Sequence, residues 1–205
     1  MITLYWFPQS RATRMFWALE EVGQPYALQA VDFRAAERHD PPNFLAASPL
    51  HKVPALTDGP VQIADSAAIA LYLADRYAPG ELAPKVDDPS RGEFLTWLFY
   101  TPSAMEPAMI EKFVKLPPNA KAYPWGSFEQ MIAALEVRLQ ERQWLATEHF
   151  TMADFMVSGT IQTLSDFKIH EPSPLLTAYV ARCFSRPAAE RGREKAAAAT
   201  AALGA

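Results

Sequence analysis

The chain has 205 residues, 19 Lys plus Arg against 23 Asp plus Glu for a net charge of −4, an apolar half, 18 prolines, 8 glycines and one cysteine. Such a length holds one large domain or two unequal ones, and an apolar half with near-balanced charge excludes a disordered chain. The acidic balance leaves no basic footprint for nucleic acid, one cysteine cannot close an internal disulfide, and the longest charge-free stretches, Phe94 to Met105 and Phe155 to Ser165, fall short of the roughly 20 residues that span a bilayer.

The expectation is therefore a cytoplasmic protein that engages neither nucleic acid nor membrane. Prolines divide the chain: seven lie in the first 60 residues and none between Pro124 and Pro172, so short elements should give way to long helices. Ile2 to Phe7 is apolar at nearly every position and reads as a strand covered on both faces rather than as a leader. Met15, Phe16, Leu19 and Val22 share a helical face that ends at Gly23, and Tyr26 to Val31 is a second strand.

A proline-rich connection, Pro41-Pro42 to Pro49, leads to two short runs, Val53 to Thr57 and Val61 to Ile63, around the hairpin signal Asp58-Gly59. Asp65-Ser66 then opens a helix carrying Ile69, Tyr72, Leu73 and Tyr77. The pattern βαβ-ββα fills residues 1–78. Residues 79–88 read as a linker, and 89–205 as an all-α domain. There, Ser127 with Gln130 and Thr151 with Asp154 are capping boxes, Phe150 and Phe155 are placed as a staple, and Ser173-Pro174 starts a helix with Leu176, Tyr179, Val180 and Cys183 inward. Pro102 and Pro107 should break the first long helix, and the alanine-rich end, Ala196 to Ala205, should fray.

Several chemistries are disfavoured at once. The glycines are never closer than twelve residues, so no phosphate-cradling loop or dinucleotide fingerprint exists. His39, His51, His149 and His170 lack metal-ligand spacing, so no metal is expected, and no G-x-S-x-G elbow occurs. Three local signals remain. Ser10 lies between strand and helix and reads first as a cap, Val53-Pro54 opens a strand after a loop, and Asp65-Ser66 reads first as an N-cap.

Together, Ser10-Arg11, Ser48-Pro-Leu-His-Lys-Val-Pro-Ala-Leu56, Asp65-Ser66, Phe150-Thr-Met-Ala-Asp154 and the segment Arg182 to Ala188 resemble the glutathione transferase family over nearly the whole chain. The resemblance implies a thioredoxin-like N-terminal domain, an all-α C-terminal domain and a homodimer. Glutathione would be co-substrate and a hydrophobic electrophile the second substrate. Asp65 and Ser66 would hold the γ-glutamyl end, Val53 before a cis Pro54 would pair with the cysteinyl unit, and Lys52 with His51 would face the glycyl carboxylate.

The family places a Tyr, Ser or Cys donor in or just after the first strand. Phe7, at the position most like that of the common serine, cannot donate, so Ser10, at what resembles the cysteine-type position, is the first candidate, Tyr5 the alternative, and Arg11 a source of positive potential. Cys183 lies in a late helix, which disfavours mixed-disulfide chemistry. Phe7, Trp97, Tyr100, Met105 and Met109 are the candidate apolar pocket, although a Met and aromatic stripe at helical spacing is more often core. Two rival readings share the fold: a non-catalytic binding module, and a glutathione-dependent isomerase or dehalogenase.

Overall fold

Strand β1 (Ile2–Trp6) is the hub of the molecule's sheet because it is apolar on both faces. Trp6 meets Phe16 edge-on at 4.8 Å on one side, while alternation turns Tyr5 to the other, 5.6 Å from Phe44. The computed structural model describes residues 1–117 and 119–204. A 3₁₀ turn (Arg11–Arg14) runs into α1 (Met15–Val22), and Gly23, at φ +64°, closes that helix in the left-handed region that glycine enters without strain. Next come β2 (Tyr26–Ala30), α2 (Pro42–Ala47), β3 (Ala55–Asp58), β4 (Val61–Ala64) and α3 (Ser66–Tyr77).

The sheet order is β2-β1-β3-β4, with β1 parallel to β2 and antiparallel to β3, and β3 antiparallel to β4. This is the βαβ-ββα order that the sequence pattern predicts, closed into one mixed sheet. Helix α2 is a correction: Pro41-Pro42 was read as part of a connection, but Pro42 takes the first helical position, where its missing N–H is harmless, and Phe44 and Ala47 are buried. Strand β3 starts at Ala55 rather than Val53, directly after the cis Val53–Pro54 bond.

The second set of helices comprises α4 (Arg91–Tyr100), α5 (Glu106–Val114), α6 (Phe128–Leu139), α7 (Met152–Asp166) and α8 (Pro174–Phe184). Pro102 and Pro107 do not break the first of them. A π-helical turn, Thr101–Met105, absorbs Pro102 and continues into α5, and Pro107 sits in that helix's first turn, where a donor is not missed. Ser127 and Gln130 exchange both capping-box bonds, and Thr151 N–H donates to Asp154 Oδ2 at 2.9 Å. Leu176, Tyr179, Val180 and Cys183 are buried.

The alanine-rich end does not fray. Helix α9 (Pro187–Ala202) continues through it, with Ala188, Ala189 and Ala196 buried; Ala205 lies outside the described residues. Two compact units result: Met1–Ala78 with Arg186–Ala205, and Pro79–Ser185. The last helix thus packs on the first unit, although a division near residue 88 had grouped it with the other helices. In that unit α9 lies on α1 so closely that a Cβ on Gly192 would come within 2.6 Å of the Trp17 backbone. No helix among the described residues is long and apolar enough to cross a membrane.

Candidate active site

The register brings the three sequence-marked segments to one end of the sheet. Tyr5 stands opposite Ala55, Ala55 opposite Ala64, and Trp6 opposite Ala30. The chain therefore leaves β1 into Phe7–Ser10, enters β3 from His51–Pro54, and leaves β4 into Asp65-Ser66, all at the same edge. Adjacent strands lie about 4.8 Å apart, so these segments form a row on the scale of an extended tripeptide. Backbone strain is concentrated there: Gln9 (φ +56°), His51 (φ +52°) and Asp65 (φ +76°) are non-glycine residues in the positive-φ region.

Asp65 caps α3. Its Oδ1 accepts from Ala67 N–H at 2.8 Å and from Ala68 N–H at 3.2 Å, and Oδ2 has no partner among the described residues. The first N–H groups of a helix point outward unsatisfied, and they carry the positive end of its dipole. Ser66 sits there, 4 % exposed, and its buried hydroxyl has no hydrogen-bond partner among the described residues. The pair thus offers one carboxylate oxygen to a cation and N–H donors to an anion, side by side.

The His51–Pro54 segment is held from below by Ser48. The buried Ser48 hydroxyl donates to Lys52 O at 2.8 Å and accepts from Lys52 N–H at 2.9 Å, closing the loop on itself. Its side chains His51 and Lys52 are exposed, Val53 is half-buried and Pro54 is buried. The role of Ser48 was missed in the sequence, although it opens one of the segments that carry the resemblance.

Ser10 is, first, the cap it was read to be. Its hydroxyl accepts from Ala12 N–H at 3.2 Å and donates its proton to Phe7 O at 2.7 Å. A hydroxyl has a single proton, so donation to a ligand requires rotation about χ1 away from Phe7. The N–H received from Ala12 polarises the oxygen and makes its O–H the better donor. Arg11 is exposed beside it. Tyr5, the alternative donor, is 2 % exposed within a cluster of Val31, Phe44, Ala47 and Ala55, and has no surface to offer a ligand.

The pocket candidates are dispersed. Phe7 is covered by Phe33 at 5.4 Å. In the second unit Met105 is fully buried, Tyr100 donates to Met131 O of α6 at 2.9 Å, and Trp97 lies 5.0 Å from Tyr100 and 5.8 Å beneath the Arg138 guanidinium of the same helix. Burial pushes the Tyr100 phenol up to about 12. These three pack the helical unit itself, and Met109 is half-buried. Burial, followed by the Asp154 charge, pushes the Cys183 thiol up to about 12, so it is no nucleophile. No group of three His, Cys, Asp or Glu among the described residues could hold a metal.

Comparison with known proteins gives a consistent result. Residues 1–75 match the model of the glutathione S-transferase N-terminal domain and residues 125–187 that of its C-terminal domain. A probable glutathione S-transferase of Oryza sativa is 30 % identical over 172 residues, which cover 78 % of this chain and 77 % of the relative. Glutathione S-transferase 3 of Schizosaccharomyces pombe is 25 % identical over 95 % of this chain and 88 % of its own. Among solved structures, a sphingomonad glutathione S-transferase complexed with glutathione superposes with a TM-score of 0.77 at 25 % identity, over 95 % of this chain and 98 % of the other.

Proposed function

Since the chain belongs to the glutathione S-transferase family, we propose that it joins the thiolate of glutathione to hydrophobic electrophiles, working as a cytoplasmic homodimer. What supports this reading above all is the sheet-end row of Ser10, Val53 and Asp65, set in register by Tyr5, Ala55 and Ala64. The tripeptide has a positive amine, a backbone able to pair with an extended strand, a thiol and a terminal carboxylate, and the row answers these in sequence. Asp65 Oδ2 takes the amine, Ser66 N–H the neighbouring carboxylate, and Val53 the cysteinyl backbone. Lys52 and His51 meet the glycyl carboxylate. Residues 1–78 act as the glutathione-binding domain, 79–88 as the linker, and 89–205 supply the electrophile's apolar surroundings, Met109 included.

The chemistry is activation of the sulfur. A free thiol with a pKa of about 8.5 is only about 3 % ionised at neutral pH, and lowering it by two units makes it mostly thiolate, a gain of about 2.7 kcal/mol. The Ser10 hydroxyl exchanges its neutral partner, Phe7 O, for a charged one, the stronger kind of bond, while the helix start behind it adds positive potential. The thiol proton passes to solvent. The sulfur lone pair then forms the carbon–sulfur bond as the leaving group departs with its electron pair, and the protein contributes orientation and charge stabilisation.

A pH titration of the ultraviolet thiolate band in the presence of glutathione tests this. The wild-type protein should bind glutathione with a depressed thiol pKa, and Ser10→Ala should raise that pKa and lower kcat/KM by roughly 10- to 100-fold. Absence of binding would favour a non-catalytic module instead. Full activity with an unchanged pKa in Ser10→Ala would remove the role given to that hydroxyl.

A further inference from the structure

We propose that Arg34 is a second thiolate-stabilising residue, a fixed positive charge standing where Phe7 leaves the family's hydroxyl donor missing; this rests on the glutathione reading above. Because β2 runs parallel to β1, and Val31 N–H donates to Trp6 O at 2.9 Å, the segment after β2 leaves the same sheet end beside Phe7–Ser10. Asp32 Oδ1 accepts from Arg34 N–H at 2.9 Å and turns the chain back toward that edge. The guanidinium then reaches across 25 residues of sequence to Gln9, donating from Nη2 to Gln9 Oε1 at 2.9 Å and to Pro8 O at 3.4 Å. It lies beside the edge-on Phe7–Phe33 pair, 5.6 Å from the Phe7 centroid and 5.5 Å from that of Phe33.

This arrangement is built rather than incidental. Packed beside two rings and tied to the residue that precedes Ser10, the side chain has given up much of its rotamer freedom before any ligand arrives. Only Nη2 has partners; the three donors on Nε and Nη1 have none among the described residues. A guanidinium carries its charge at every working pH, so it needs no proton inventory of its own. Bonded to Pro8 and Gln9, it stands beside the segment that ends in Ser10, so the sulfur that Ser10 is proposed to meet would ionise next to a fixed opposite charge, and such a charge lowers a thiol pKa.

The test is the thiolate titration on Arg34→Gln and Arg34→Lys, with circular dichroism to verify folding, which a change at this exposed residue should not disturb. In Arg34→Gln the bound thiol pKa should rise by roughly one unit, kcat near neutral pH should fall several-fold and return toward wild type at alkaline pH, and the KM for glutathione should move less than about twofold. Arg34→Lys should recover part of the pKa depression. An unchanged thiol pKa overturns the proposal. So does a raised KM with an unchanged pKa, which would make Arg34 a carboxylate anchor. Failure of the unmodified protein to ionise bound glutathione would strike the underlying reading, and it is told apart because it precedes any substitution.

Discussion

Ser48 carries more of the candidate site than its position away from any ligand suggests. It is 2 % exposed, and both hydrogen bonds of its hydroxyl go to the backbone of Lys52, one residue before Val53. Ser48→Ala leaves a loop N–H and C=O without their partner. A loss of about 1 kcal/mol in loop order should raise the KM for glutathione about fivefold with kcat within twofold. Steady-state kinetics with glutathione varied decides it, and a drop in kcat alone would contradict it. At this scale the sequence was readable wherever the signal was local. Ser10 before a helix, Asp65-Ser66 at another and Val53-Pro54 after a loop announce themselves by neighbours. Arg34 does not, since its partners Pro8 and Gln9 lie 26 and 25 residues away and nothing in Phe33-Arg34 distinguishes a braced guanidinium from a surface one. Met105 failed for the same reason, because helical spacing alone cannot tell a pocket wall from a core.

Among the elements, α7 depends most on one carboxylate. Asp154, 0 % exposed, accepts from Leu145 N–H, Thr151 N–H, Thr151 Oγ1 and Tyr179 OH at 2.9 to 3.2 Å. It ties the helix start to the segment before it and to α8. Asp154→Ala orphans several buried donors at once and should lower stability by about 3 kcal/mol, seen as an earlier denaturant midpoint, whereas a surface-like change below about 0.5 kcal/mol would refute the account. The box was legible because capping has a fixed three-residue spacing. Helix α2 was not, because Pro41-Pro42 carries the same mark for a loop and for a helix start. The π turn at Thr101–Met105 likewise escaped, since Pro102 alone predicts a break and only the continued packing of α5 shows that the helix absorbs it.

Over the whole molecule, the bond between α1 and α9 is the feature least visible in the sequence, because it joins residues 165 to 175 positions apart. Arg186 grips Glu21 through Nε at 2.6 Å and Nη2 at 2.8 Å, while Glu20 accepts from Arg191 at 3.1 Å, Lys195 at 2.5 Å and Tyr26 at 3.0 Å. Burial pushes the Glu20 carboxyl up, but the bonds from Lys195, Tyr26 and Arg191 prevail and hold it below the usual carboxylate range. A depressed folded pKa contributes stability above the unfolded value of about 4.3, and that stability is lost as pH falls through the folded one. Glu20→Gln should therefore be less stable than wild type by roughly 1–2 kcal/mol at neutral pH, a modest figure because both cationic partners are half exposed to solvent. The difference should narrow as pH falls below about 4.3 and vanish below the folded pKa. Unfolding curves across a pH series test this, and a gap that stays constant with pH would exclude the linkage.

The same closure sets an order of assembly. The helical unit, Pro79–Ser185, is one continuous stretch, but the unit that carries the candidate site draws on both Met1–Ala78 and Arg186–Ala205. During synthesis on the ribosome, Glu20 and Glu21 emerge more than 160 residues before the cations that pair with them, and the Trp17 backbone waits equally long for Gly192. The first sheet to be translated is the last to be sealed, so the nascent chain must carry an unfinished α1 surface, with its apolar contacts open, through the folding of everything in between.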